Sequence, residues 1–156
     1  MRLIAIALGM VCALSQAAEP PASRINDSLT LGGVTLWELF EPVSARMGKP
    51  RQVIEDWGAA FGREYIYDGM TLWAGFDVER KITVQQIEVT SSRYGTPSGV
   101  CPGMSASDAQ RILGNPILSD EVKEGRNAFL IDVEACWLEV EILEGTIRKM
   151  AIRCQP

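Results

Sequence analysis

The chain reads as an α+β protein made of two tandem units that share one antiparallel sheet, each unit a helix followed by a hairpin. Three observations predict this. First, "GVTLWELFEPVSARMGKP" (33–50) and "GVCPGMSASDAQRILGNP" (99–116) have the same length, begin Gly-Val and end Gly-x-Pro, so that Gly33 aligns with Gly99 and Pro50 with Pro116. Second, "MTLWAGFDVERKITVQQIEV" (70–89) is echoed by "CWLEVEILEGTIRKMAIRC" (136–154), with one residue fewer in the second turn. Third, folding the second echoed segment back at Gly145 sets apolar residues against each other on one face and opposite charges against each other on the other, as in an antiparallel hairpin. A repeated supersecondary unit follows, over residues 30–92 and 96–156.

The elements follow in order. Met1-Arg2 is a short basic start, and Leu3–Leu14 is an apolar run too short to span a bilayer. Ser15-Gln16-Ala17 supplies small residues for cleavage after Ala17, so residues 1–17 read as a signal peptide and the protein as periplasmic. Cys12 lacks the flanking residues of a lipoprotein site and goes with the discarded peptide. Residues 18–29, polar and Pro-rich, read as a flexible lead. The first helix starts late, with Pro42 in its first turn, where proline is tolerated. A start at Thr35 with Glu38 is the alternative, and it puts Pro42 mid-helix. In the second unit, Ser105-x-x-Asp108 resembles a capping box. Ala109, Ile112 and Leu113 form the apolar stripe, and Gly114 and Pro116 end the helix.

The second hairpin turns at Gly145. Pairing Cys136 with Cys154 also pairs Leu138 with Ile152 and Val140 with Met150 on one face. The other face then sets Glu141 against Lys149, and Trp137 against Arg153 for a cation–π contact. The same register in the first unit pairs Met70 with Val89 and Leu72 with Ile87, and puts Trp73, Val84 and Ile82 on the opposite face. That face is less polar than a solvated one should be.

Three cysteines follow the leader: Cys101, Cys136 and Cys154. Export implies an oxidising compartment and a disulfide. Cys136–Cys154 fits the hairpin register, and Cys101–Cys154 is the alternative. The remaining cysteine is then free and buried, or paired with another chain.

Composition excludes several functions. The chain has no histidine, which removes Ser-His-Asp and Cys-His nucleophiles and His-ligated zinc or copper. No C-x-x-C, phosphate-binding or dinucleotide-binding glycine motif occurs. Without Arg2 the chain carries 14 Lys and Arg against 20 Asp and Glu, a net charge of −6. Nucleic acid and anionic membrane surfaces are poor partners for such a chain. Asp120, Glu121 and Glu124 lack calcium-loop spacing and read as a solvated face. Ser91, Ser92, Ser105 and Ser107 read as capping and turn residues. No cofactor, metal or catalytic residue is assigned, and the chain reads as a non-enzyme. Only carboxylate or serine chemistry remains open to it.

The repeated Gly-Val…helix…Gly-x-Pro unit, with the junction "SSRYGTPSGVCPGMSASDAQRILGNP" (91–116), resembles the BamE-like and beta-lactamase-inhibitory-protein (BLIP) architecture. The resemblance implies a tandem-repeat exported fold that hosts enzyme inhibitors and outer-membrane assembly factors. Trp37, Phe40, Trp57 and Phe61 read as core. Trp73 and Trp137, with Tyr65 and Tyr67, are the candidate partner-binding aromatics, rimmed by Asp68, Glu88, Glu139 and Glu141. The expected function is protein binding in the envelope, as an inhibitor or immunity protein against a hydrolase, with an assembly or accessory role as the alternative. Sequence leaves the oligomeric state open.

Overall fold

A computed structural model describes residues 29–55, 62–115, 126–131 and 136–154. The leader, the lead before Leu29, Trp57, Phe61 and the Asp120–Glu124 cluster lie outside the described residues. A two-stranded ribbon, β1 (Thr30–Leu31) and β2 (Val34–Thr35), precedes helix α1 (Phe40–Met47). Strands β3 (Gln52–Ile54), β4 (Gly62–Tyr67), β5 (Met70–Phe76) and β6 (Ile82–Val89) follow. Helix α2 (Ala106–Leu113) leads to β7 (Arg126–Ile131), β8 (Cys136–Leu143) and β9 (Thr146–Cys154).

Seven strands form one antiparallel sheet in the order β3-β4-β5-β6-β9-β8-β7. The chain is therefore predominantly β, and the expected α+β fold of two helix-plus-hairpin units is overturned. Each unit adds a third strand, β4 or β7, to its hairpin, so the repeated element is a three-stranded meander. Among the described residues the helices are two short eight-residue segments.

The two halves meet at a short seam, where Ile87, Glu88 and Val89 of β6 pair with Ile152, Ala151 and Met150 of β9. Beyond the seam, each inner strand is completed by the segment that enters a helix. Trp37 N–H donates to Val84 O at 2.7 Å, and Val84 N–H donates to Glu38 O at 2.9 Å. In the second half, Gly103 N–H donates to Ile147 O and Ile147 N–H to Met104 O, both at 2.8 Å. The helices keep the alignment of the sequence echo, with Gly48 and Gly114 ending them at φ 76° and 91°. The strands do not keep it. A bulge inserts Gln85 opposite the Trp73/Ala74 step and Arg148 opposite the Glu141/Ile142 step. The bulges therefore align Gln85 with Arg148 on the inner strands and Trp73 with Glu141 on β5 and β8. The second turn is shorter than the first by more than the one residue expected. It is the tight Glu144–Gly145 connection, with φ 50° and 73°, which matches the twist of a hairpin.

The bulge also corrects the first hairpin. Val84 pairs with Ala74 instead of continuing the uninterrupted register, and it sits fully buried in the core. The core occupies one sheet face. Leu72, Ile87, Ile152 and Leu138 run across it, with Met70, Val89, Met150 and Val140 beside them. Phe40 and Val43 of α1, Ala109 of α2 and Leu31 and Val34 of the ribbon cover that face. Phe40 and Val43 lie on one side of α1 because an i, i+3 pair shares a helix face.

The helix starts differ in kind. Leu39 precedes α1 without a side-chain cap. Ser105 caps α2, its Oγ accepting from Asp108 N–H at 3.1 Å and donating to Asp108 Oδ2 at 2.7 Å. Those contacts, the Ser105 hydroxyl first, hold the Asp108 carboxyl below its usual range. Replacing Ser105 with alanine lowers stability by about 1 kcal/mol; a shift of the urea midpoint at constant slope is the measurement, and an unshifted midpoint contradicts it.

Cys136 and Cys154 form a disulfide (Cα–Cα 3.9 Å) at the pairing that the hairpin register predicts. Cys101–Cys154 is excluded. Cys101 is buried and disulfide-bonded, so no described cysteine is a free thiol, and the expectation of a free third cysteine is corrected.

Candidate functional site

The sheet face opposite the core carries polar residues of the strands together with Trp73 and Trp137. Trp73 lies between Glu64 and Gln86 on its neighbours, and Trp137 lies beside Arg153. Because Ile87 pairs with Ile152, Gln86 and Arg153 flank the same point of the seam. Trp73, Gln86, Arg153 and Trp137 therefore form one row across four strands. The two indoles are three strand spacings apart, about 14 Å. Both are half-buried.

The next positions along the strands hold an ion-pair ladder. Lys149 Nζ lies 3.3 Å from Glu88 and 3.6 Å from Glu141. Arg153 lies 3.3 Å from Glu139 and 3.7 Å from Glu88. Ala151, opposite both Glu88 and Glu139, leaves room for these long side chains to fold over it, and it is only 1% exposed. The ladder's side chains are drawn down onto the sheet, Glu139 to 12% exposure and Lys149 to 23%. The Glu141–Lys149 pair forms as expected. Arg153 spends its guanidinium on carboxylates instead of the expected cation–π contact with Trp137. The cation–π contact among the described residues is Arg93 over Tyr94, at 5.4 Å.

Tyr65 and Tyr67 do not belong to this surface. They pair with Leu72 and Met70 and point to the core face. The Tyr65 ring packs on Phe40 with centroids 4.1 Å apart. Tyr67 is 7% exposed, its hydroxyl has no hydrogen-bond partner among the described residues, and burial, with Tyr65 next to it, raises its pKa. Asp68 lies at the turn into β5, held by Arg51 and Arg93 at 3.0 and 2.9 Å. Of the predicted partner-binding residues, the structure gathers Trp73, Trp137, Glu139 and Glu141 and sends the two tyrosines to the core.

Trp37, read as core, is instead partly exposed at 37% and has a left-handed backbone (φ 62°). Its counterpart in the second unit is Gly103, at φ 94°. The signal lay in the repeat itself, where a tryptophan aligns with a glycine. Beside Trp37, Arg46 makes a bidentate pair with Glu38 at 2.7 and 2.6 Å and donates to Gly33 O at 3.0 Å. The Arg46 contact holds the Glu38 carboxyl below its usual range.

Among the described residues, no group of three His, Cys, Asp or Glu side chains is placed to hold a metal ion, and no helix is long and apolar enough to cross a membrane. No protein-family model matches the chain, and no curated protein matches it. Two crystal structures are similar. One is a DUF4309 family protein (YjgB) from Bacillus subtilis, 17% identical, with a TM-score of 0.46 over 79% of this chain and 83% of that one. The other is an extracellular protein containing a SCP domain from Bacillus anthracis, 14% identical, with a TM-score of 0.50 over 97% of this chain. The chain spans half the length of that second protein. The second likeness concerns the fold alone.

Proposed function

We propose that this chain is an exported, non-enzymatic protein-binding module of the periplasm that docks a partner on its outer sheet face. The finer reading is an inhibitor or immunity protein that restrains an envelope hydrolase. The observation that carries it is the row of Trp73, Gln86, Arg153 and Trp137 beside the Glu88, Glu139 and Glu141 ladder, on the face opposite the described helices. Two aromatic anchors bracketing the ion-paired Arg153 suit a protein interface, where tryptophan and arginine carry most of the energy. The charges are held in place before binding, so docking orders few side chains. The Cys136–Cys154 disulfide agrees with folding in an oxidising compartment.

The test is capture of a partner from periplasmic extract by the immobilised protein, followed by titration of that partner. Trp73→Ala and Trp137→Ala each weaken binding by about tenfold or more, the loss expected of an interface anchor. Unchanged binding in both variants, with unfolding midpoints intact, removes the sheet-face reading.

A further inference from the structure

We propose that Glu88, with Lys149 and Arg153, is a pairing code: it makes the β6 edge of this chain accept a β9 edge and refuse a second β6. The bulges set the equivalence of the two halves. With Gln85 aligned on Arg148, "IEV" (87–89) in β6 stands for "MAI" (150–152) in β9. The inner-strand hydrogen bonds give the same alignment, since Val84 and Ile147 each exchange a pair with the segment that enters a helix. In these terms the seam is symmetric. Ile87 meets Ile152, Glu88 meets Ala151 at the centre, and Val89 meets Met150. A pseudo-two-fold axis therefore passes through the Glu88–Ala151 pair, as it would between two copies of one meander.

Such a contact leaves like-with-like pairing open. A β6 strand set against β6 of a second copy, or β9 against β9, keeps the same backbone register. The core side does not discriminate. Ile87, Val89, Met150 and Ile152 are all apolar and fully buried, so each can face any other. The choice falls to the outer face. There β6 and the residue after it carry Gln86, Glu88 and Thr90, and the equivalent positions of β9 are Lys149, Ala151 and Arg153. An acid at the centre of one edge meets a small residue flanked by cations on the other. Lys149 lies 3.3 Å and Arg153 3.7 Å from the Glu88 carboxylate.

Like-with-like pairing breaks this fit. β6 on β6 sets Glu88 directly against Glu88 of the other copy, with neutral Gln86 and Thr90 on either side. β9 on β9 sets Lys149 against Arg153 twice, around an Ala151–Ala151 pair. Directly opposed like charges destabilise a sheet, and each charge here also gives up its native partner across the seam. The side chains of Glu88 and Lys149 are only 21% and 23% exposed, so salt screens them less than charges on an open surface. The code acts while the seam is still open, when two edges with the same apolar row compete for partners. Misassembly between such units is the characteristic failure of repeat proteins.

Refolding from guanidinium with the disulfides intact, at protein concentrations from micromolar to millimolar, tests this by sedimentation velocity. The parent returns to monomer. Glu88→Ala, and Glu88→Gln as the variant that keeps the side-chain length, each raise the dimer fraction at the highest concentration by tenfold or more. Glu88→Asp keeps the charge and refolds as the parent does. So does Glu141→Ala, which removes a ladder carboxylate and leaves the centre of β6 charged. In a mixture of isotope-labelled and unlabelled Glu88→Ala chains, nuclear Overhauser contacts run from Ile87 of one chain to Val89 of the other. Any dimer of the parent shows Ile87 against Ile152 of the second chain, the native pairing exchanged. No partner protein is present, so the result does not depend on the sheet-face reading. Parent-like refolding of both Glu88→Ala and Glu88→Gln overturns the proposal. Equal dimer yields from Glu88→Ala and Glu141→Ala also overturn it, because the effect is then general weakening. So do Ile87–Val89 contacts between chains of the parent, or Ile87–Ile152 contacts alone in the Glu88→Ala dimer.

Discussion

Ile152→Ala costs about 2–5 kcal/mol, the range for removing a large aliphatic side chain from a packed core. Ile152 is fully buried on β9, paired on one side with Leu138 and on the other with Ile87. It is therefore the contact through which the two halves of the sheet share a core. A small domain has about 5–15 kcal/mol of stability in total, so the variant is strongly destabilised. Urea unfolding followed by tryptophan fluorescence measures the loss. A cost below about 1 kcal/mol shows that the seam is not packed as described.

The second large effect belongs to the Cys136–Cys154 disulfide. It closes a loop with a sequence separation of 18, and such closure restricts the unfolded chain by about 3 kcal/mol. The Cys136→Ala, Cys154→Ala double variant is the correct probe, since a reductant acts on Cys101 as well. Its unfolding free energy falls by about that amount, and the edge pairing of β7 with β8 gains hydrogen-exchange rate before the rest of the sheet. Equal stability in variant and parent contradicts this.

Much of the β8–β9 hairpin was legible because several independent pairs agreed at once. Cysteine opposite cysteine, Leu138 opposite Ile152 and Glu141 opposite Lys149 leave a single register. The helices were legible through punctuation: Gly48 and Gly114 end them, and Ser105 begins one. The bulges were not. One extra residue reverses which face all later side chains occupy, and nothing in Gln85 or Arg148 announces it. The trace it left was a solvent face with too many apolar residues, Val84 and Ile82. The tyrosines were misassigned for a related reason. Alternation in "EYIYD" separates Tyr65 and Tyr67 from Ile66, but alternation alone cannot say which set faces the helices. Strand β7 passed unread because "RNAFLI" alternates poorly, so its place is fixed by pairing with β8 and not by local pattern. Without that third strand in each half, helix-plus-hairpin units looked sufficient.

The shortness of the seam has a kinetic consequence. Within each meander, every strand pairs with a near neighbour in the chain, and such contacts form early because little loop entropy is spent. The seam is different. Ile87 and Ile152 lie in different meanders, with α2, β7 and β8 between them in the chain, and β6 and β9 share only three residue pairs. The late pairing of the two meanders is therefore the step expected to limit the folding rate. Substitutions at Ile87 or Ile152 slow folding, whereas substitutions in the outer strands mainly speed unfolding. Until docking occurs, the core-facing rows of both meanders are open to solvent. In that interval the chain is most exposed to aggregation, and to any factor that holds unfinished proteins.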